Sequence, residues 1–128
     1  MSTDRQGPLM RALRGAITVP KDDRAAIADA TGRLLGAMME RNEVAPEDVV
    51  SVIFSATADL TAEFPAVAAR RLGLDQVPLL CTVEIPVPGA LPRCIRVLMH
   101  LYTARDYASL RHVYLGGARG LRTDLAED

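Results

Sequence analysis

The chain of 128 residues has no tryptophan, three tyrosines, two phenylalanines, two cysteines and a single lysine, Lys21. With aromatics at 4% it lacks the platforms on which unpaired bases stack, and its core has to be filled by Val, Leu, Ile, Ala and Met. Neither charge sign dominates. Fifteen basic and sixteen acidic residues leave a net charge of -1, which excludes nucleic-acid binding driven by phosphate neutralisation. No run approaches the roughly 18 apolar residues of a membrane span. The segment from Met1 to Arg14 carries Asp4, Arg5 and Arg11 and has no apolar leader stretch, so a cytoplasmic protein with no membrane partner is expected. In that compartment Cys81 and Cys94 read as free thiols. His100 and His112 stand at no metal-ligand spacing from them, and neither a glycine-rich phosphate loop nor a Gly-x-Ser-x-Gly turn is present; no metal or cofactor is expected.

What is present is the balance of a folded chain, 49% hydrophobic and 24% charged, of a length that suits one domain over residues 1–128. Residues 11–19, RALRGAITV, predict a first strand with Arg14 inside it and Pro20 ending it. Asp22 or Asp23 can cap a helix to about Asn42, because Ile27, Ala30, Leu34, Leu35, Met38 and Met39 recur at helical spacing. Residues 48–55, DVVSVIFS, predict a strand apolar enough to be covered on both faces. Thr57 to Thr61 reads as a turn and helix cap, followed by a helix from about Ala62 to Leu72 with Pro65 in its first turn and Phe64, Ala68 and Leu72 on one face.

Two further strands, 77–84 and 93–102, flank the turn-rich PVPGALP, and residues 112–115 predict a short last strand. Gly116, Gly117 and Gly120 then open a flexible tail from about 116. The order β-α-β-α-β-β-β implies an α+β fold, a mixed sheet with two helices on one face and the other face available to further subunits.

Arg96 is the most informative residue. Alternation in 93–102 sets Cys94, Arg96, Leu98 and His100 on one face and Ile95, Val97, Met99 and Leu101 on the other. A charge in such a strand needs a buried partner or a ligand. Arg14, Arg70 and Arg122 could join it in a cationic pocket, and fourteen of the fifteen basic residues are arginines, which suit bidentate carboxylate recognition. Glu84 ends an apolar strand beside a tight turn, placed to accept a hydrogen bond or to pair with an arginine. Cys81 has no activating base nearby in sequence and reads as a small core residue. The combination suits binding of a small anion, with or without chemistry that needs only electrostatics and shape.

Four segments carry a resemblance: LRGAITV at 13–19, SATADLTAEFPAVAAR at 55–70, VPLLCTVEIPVPGALPRCIRVLMH at 77–100 and RHVYLGGARGLRTDL at 111–125. Together they resemble the AroH-class chorismate mutases over nearly the whole chain. The resemblance implies a homotrimeric pseudo-α/β-barrel with helices outside, active sites in clefts between subunits, and cofactor-free conversion of chorismate to prephenate in aromatic amino acid biosynthesis. It implies catalytic roles for Arg96, beside the breaking ether bond, and for Glu84, which with Cys81 engages the substrate hydroxyl. Arg14 then binds a carboxylate, with Tyr114 hydrogen-bonding nearby. Phe64, Ala66 and Leu121 form apolar walls, and Arg70 and Arg122 are charges at the mouth. Val67 departs from the family, many of whose members have a Lys there.

Two other readings fit the bare residues. A non-catalytic trimeric module could use the same arginines to bind a small carboxylate. A trimeric imine or enamine hydrolase resembling the RidA family would need a water-activating base that the sequence does not place.

Overall fold

A computed structural model describes residues 7–121. Five strands, β1 (Leu9–Thr18), β2 (Val49–Ala56), β3 (Leu79–Val83), β4 (Cys94–Thr103) and β5 (Val113–Leu115), form one sheet in the order β3-β2-β4-β1-β5. The long central strand β4 is antiparallel to both β1 and β2, whereas the edge strands β3 and β5 run parallel to their neighbours β2 and β1. A mixed sheet results, as the element order implies.

Helix α1 (Arg24–Arg41) covers one face of the sheet. Asp23 is its cap, accepting a hydrogen bond from the Ala26 N–H at 3.0 Å. Ile27, Ala30, Leu34, Leu35, Met38 and Met39 are all buried, so the helical periodicity identified the packing face. Against them lie Leu13 and Ile17 of β1, Val52 and Phe54 of β2, and Ile95, Val97, Met99 and Leu101 of β4. Asn42, 2% exposed, ends the helix and returns a hydrogen bond from its amide to the Met38 carbonyl at 2.8 Å.

The opposite face carries Arg14 and Ala16 of β1, Ser51, Ile53 and Ser55 of β2, and Arg96, Leu98 and His100 of β4. Strand alternation and register require it, because Arg96 pairs across β4 with Ala16 on one side and Ser55 on the other. The expected alternation in β4 is present, every odd-numbered residue from Ile95 to Leu101 being buried. Strand β2 differs from its reading as covered on both faces. Within the chain only the face bearing Val52 and Phe54 is closed, and Ser51, Ile53 and Ser55 stay half-buried. A register shift between Val49 and Ser51 sets that phase, so that Val49 and Val52 are both buried three residues apart.

The second helix is shorter than the sequence implies. Only α2 (Val67–Arg70) forms, and the chain around it turns through bonds from Val67 to Phe64, Ala68 to Pro65 and Ala69 to Ala66, a three-residue spacing that tightens the coil and shifts its faces. Phe64 is accordingly 69% exposed while Ala68 is buried at 1%, so the two do not share a packing face. Thr57 to Thr61 is a turn but does not cap this helix; its side chains tie down other segments. Gly116–Gly120, read as the start of a flexible tail, is a 3-10 helix with Ala118 fully buried and the Gly117 N–H donating to the Thr18 hydroxyl at 2.8 Å.

Gly15 sets how closely α1 approaches the sheet. A Cβ there would lie 2.6 Å from Met38 Sδ, 3.0 Å from Leu34 Cδ1 and 3.2 Å from the Val113 carbonyl. Overpacking of this kind costs about 1–3 kcal/mol. Gly15→Ala is therefore expected to lower the unfolding free energy from urea titration by an amount in that range, and an unchanged urea midpoint would contradict this packing.

Candidate functional site

The register builds the site on the uncovered face of the sheet. One row of paired positions runs Thr82, Ser55, Arg96, Ala16 and Tyr114 across all five strands. Arg96 can lie over the sheet because its two neighbours in the row are small. Arg14, Gly15, Ala16, Ile53, Ser55, Arg96, Val97, Leu98 and Tyr114 line a pocket of about 280 Å³ there. Two of the arginines singled out in the sequence thus meet beside Tyr114, whose ring is itself buried against Ala16, Cys94 and Ala118.

Glu84 reaches the same face from the end of β3. Its N–H donates to the Ala56 carbonyl at 2.9 Å, its Oε2 accepts from the Ser55 hydroxyl, and its Oε1 lies 3.5 Å from Arg96 Nε. That last separation makes an ion pair but not a hydrogen bond, and the buried Nε has no hydrogen-bond partner. The Arg96 side chain is 43% exposed and that of Glu84 27%, so water weakens their attraction and the pair contributes little to stability. Its effect is to keep a cation at a fixed place with donors unused. Ser55 was not singled out from sequence, although a hydroxyl alternating with apolar residues in β2 was the available signal.

The start of β4, and hence the position of Arg96, is held by a second polar cluster. Arg93 has a left-handed backbone, φ +46°, a conformation that costs a non-glycine residue about 1–2 kcal/mol. Asp59 offsets the cost by accepting the Arg93 N–H on both oxygens, at 3.0 and 3.2 Å. Arg93 Nε donates to the Val19 carbonyl at 3.0 Å, and the Cys94 N–H donates to the Thr57 hydroxyl at 3.0 Å.

Four of the remaining six sequence candidates, Phe64, Ala66, Arg70 and Cys81, form a separate wall. Phe64, Ala66, Val67, Arg70, Leu79, Leu80 and Cys81 line a pocket of about 520 Å³ beside the edge strand β3. Cys81 pairs with Phe54, whose side chain packs in the α1 core, so within one chain Cys81 faces away from Arg96. Leu121 packs against the cluster containing Ala16 and Tyr114, next to the arginine pocket. Arg122 lies outside the described residues. Among those described, no three His, Cys, Asp or Glu side chains converge as metal ligands, and no helix is long and apolar enough to cross a membrane.

Asp22 anchors the second wall. Its Oδ1 accepts from the Thr61 and Ala62 N–H groups, each at 2.9 Å, and its Oδ2 from the Thr61 hydroxyl at 2.8 Å. These bonds, the Thr61 hydroxyl's first and its N–H next, hold the carboxyl below its ordinary value against the opposing effect of desolvation.

The family model described as chorismate mutase type I matches residues 10–125. The chain belongs to the type I chorismate mutases. Chorismate mutase AroH of Thermus thermophilus is 50% identical over 118 residues, 91% of this chain and 97% of the relative. That of Bacillus subtilis (strain 168) is 44% identical over 119 residues, 92% and 94% of the two chains. A solved chorismate mutase from Clostridium thermocellum superposes with a TM-score of 0.84 at 46% identity, covering 85% of this chain and 97% of that one. The resemblance read from the four sequence segments therefore holds, and so does the α+β mixed-sheet fold it implied.

Two outcomes are expected from these surroundings. Burial raises the Cys94 thiol pKa above its ordinary value, Glu84 and Asp59 adding to the effect and Arg96 opposing it; with the side chain 1% exposed, Cys94 should resist iodoacetamide in the folded protein while the half-buried Cys81 reacts, as read by mass spectrometry of the alkylated chain. For Asp22, whose folded pKa is lowered, the stabilisation over Asp22→Asn is fully present above about pH 4 and disappears as pH falls through the folded pKa. Urea titrations of both proteins at neutral pH and near pH 2 should show a gap that closes in acid; a constant gap would contradict the assignment.

Proposed function

We propose that chorismate binds over the exposed face of the sheet and rearranges there to prephenate. The family's activity is that of an isomerase, and its reaction serves aromatic amino acid biosynthesis. The observation that carries this reading is the convergence of Arg14, Arg96 and Tyr114 on one pocket, with Arg96 fixed by Glu84 yet keeping a donor unpaired. The substrate carries two carboxylates and an ether oxygen. In the rearrangement the C–O bond breaks as a C–C bond forms by a cyclic shift of electron pairs, with no proton or group passed to the protein.

Arg14 binds one carboxylate, with Tyr114 nearby. Arg96 faces the ether oxygen and stabilises the negative charge that builds on it, which accelerates the reaction because that charge is greater in the transition state than in the ground state. Glu84 and Cys81 engage the hydroxyl. Phe64, Ala66 and Leu121 close the cleft, and Arg70 and Arg122 attract the dianion at its mouth. Val67, in place of the lysine many relatives have, removes one such charge, and its loss affects encounter more than turnover. No cofactor is required.

Glu84 lies beside Arg96, whereas Cys81, Phe64, Ala66 and Arg70 line the other pocket. A cleft containing all of them needs a second copy, the wall of one chain facing the sheet of its neighbour. Leu80, Val83, Ile85 and Val87, all more than half exposed around β3, provide apolar surface for that assembly, and a closed homotrimer repeats the contact three times. The carboxylate-binding module uses the same arginines, but the relatives and the family favour the enzyme. Cytoplasmic location follows the sequence reading.

The test is conversion of chorismate, followed by loss of its ultraviolet absorbance and identification of prephenate. Arg96→Ala should reduce kcat by on the order of 10²- to 10³-fold or more, while Arg14→Ala should mainly raise KM. Because arginines stay charged and no general base acts, kcat should vary little between about pH 6 and 8. Unchanged turnover in Arg96→Ala, or a bell-shaped kcat profile centred near neutrality, would overturn the mechanism.

A further inference from the structure

The backbone N–H of Arg14 donates to Nδ1 of His112 at 2.9 Å. Strand β5 pairs with β1 only from Val113 opposite Gly15 onward, so this N–H lies one residue before the ladder. The imidazole takes the place of the strand carbonyl that is missing there. We infer that His112 is a positioning residue for Arg14, holding the carboxylate-binding side chain by fixing its backbone at the end of the ladder.

The histidine is itself held by α1. The Asn42 side chain clasps the preceding residue on both sides: the Arg111 N–H donates to Asn42 Oδ1 at 2.7 Å, and Asn42 Nδ2 donates to the Arg111 carbonyl at 2.9 Å. Asn42 is buried at the helix end, where an amide persists only when its hydrogen bonds are made. Two residues beyond His112, Tyr114 pairs with Ala16 in the row that contains Arg96. One short segment, fixed by the end of α1, thus sets both Tyr114 and the backbone of Arg14. To accept at Nδ1 the ring must carry its proton on Nε2, and Asn at position 112 can offer an amide oxygen near the same place.

The inference rests on Arg14 binding substrate, and the test separates the two. His112→Phe keeps the ring shape without the acceptor; His112→Asn restores an acceptor. His112→Phe should raise KM for chorismate about tenfold, the order expected when a hydrogen bond to a charged group is weakened, with kcat changed less than about twofold. His112→Asn should recover KM to within about twofold of the parent. In an Arg14→Ala background His112→Phe should change KM no further, because residues acting through one another are not additive.

An unaltered KM in His112→Phe, failure of Asn to restore it, or an undiminished effect without the Arg14 side chain would overturn the inference. If Arg14→Ala alone leaves KM unchanged, the substrate-binding reading of Arg14 fails instead, and the inference falls with it. Should His112→Phe not fold, His112→Ala carries the same comparison. Failure of both to fold would assign His112 a purely structural role and overturn the inference.

Discussion

A guanidinium held at the centre of a sheet constrains nearly everything around it. Arg96 lies on the middle strand of five, where a charge persists only if solvent or a partner reaches it. The fold supplies both. Helix α1 covers the other face alone, Ala16 and Ser55 leave room on either side, and Glu84 stands 3.5 Å from Nε without completing a hydrogen bond. A fully covered sheet would have to pair or neutralise that charge. The open face leaves it available to a ligand that builds negative charge.

The position of the guanidinium is set largely by groups that offer the ligand no side chain. Asp59 holds Arg93 in a left-handed conformation and thereby starts β4 in one register; Gly15 allows α1 to settle against β1. Asp22 and Asn42, at opposite ends of α1, fasten the Thr61 segment and the Arg111 segment respectively. A single helix therefore steadies both the wall bearing Phe64 and the strand bearing Tyr114. Preorganisation of this kind suits a reaction in which the protein exchanges no proton and its contribution is placement and field.

Periodicity made much of this legible in the sequence. The apolar positions of α1 and the two faces of β4 followed from spacing alone, because each element has one covered side and the pattern reports it. Arg96 was visible as a charge breaking an apolar strand. Helix α2 is shorter than its sequence implies, since Pro65 and a string of alanines permit either a helix or a tight 3-10 turn. The roles of Asp22, Asp59 and Asn42 were hidden, because their partners lie more than thirty residues away. The division of the candidates between two pockets was only partly legible: Cys81 and Glu84 are three residues apart, an odd spacing that sets them on opposite faces, but which residues of other segments join each face depends on strand register.

The central claim is that two copies of the chain build each site, and mixed assemblies test it most directly. Arg96→Ala disables the sheet side, and Phe64→Asp, at an exposed position, puts a repelling carboxylate on the other wall. Each variant alone should be nearly inactive. Unfolded together in equal amounts and refolded, they assort at random, and about a quarter of the interfaces should combine an intact sheet with an intact wall. Recovery of about a quarter of the parent's chorismate mutase activity is the predicted result. Mixed trimers that form, as shown by mass spectrometry, but remain as inactive as either variant would contradict the shared site.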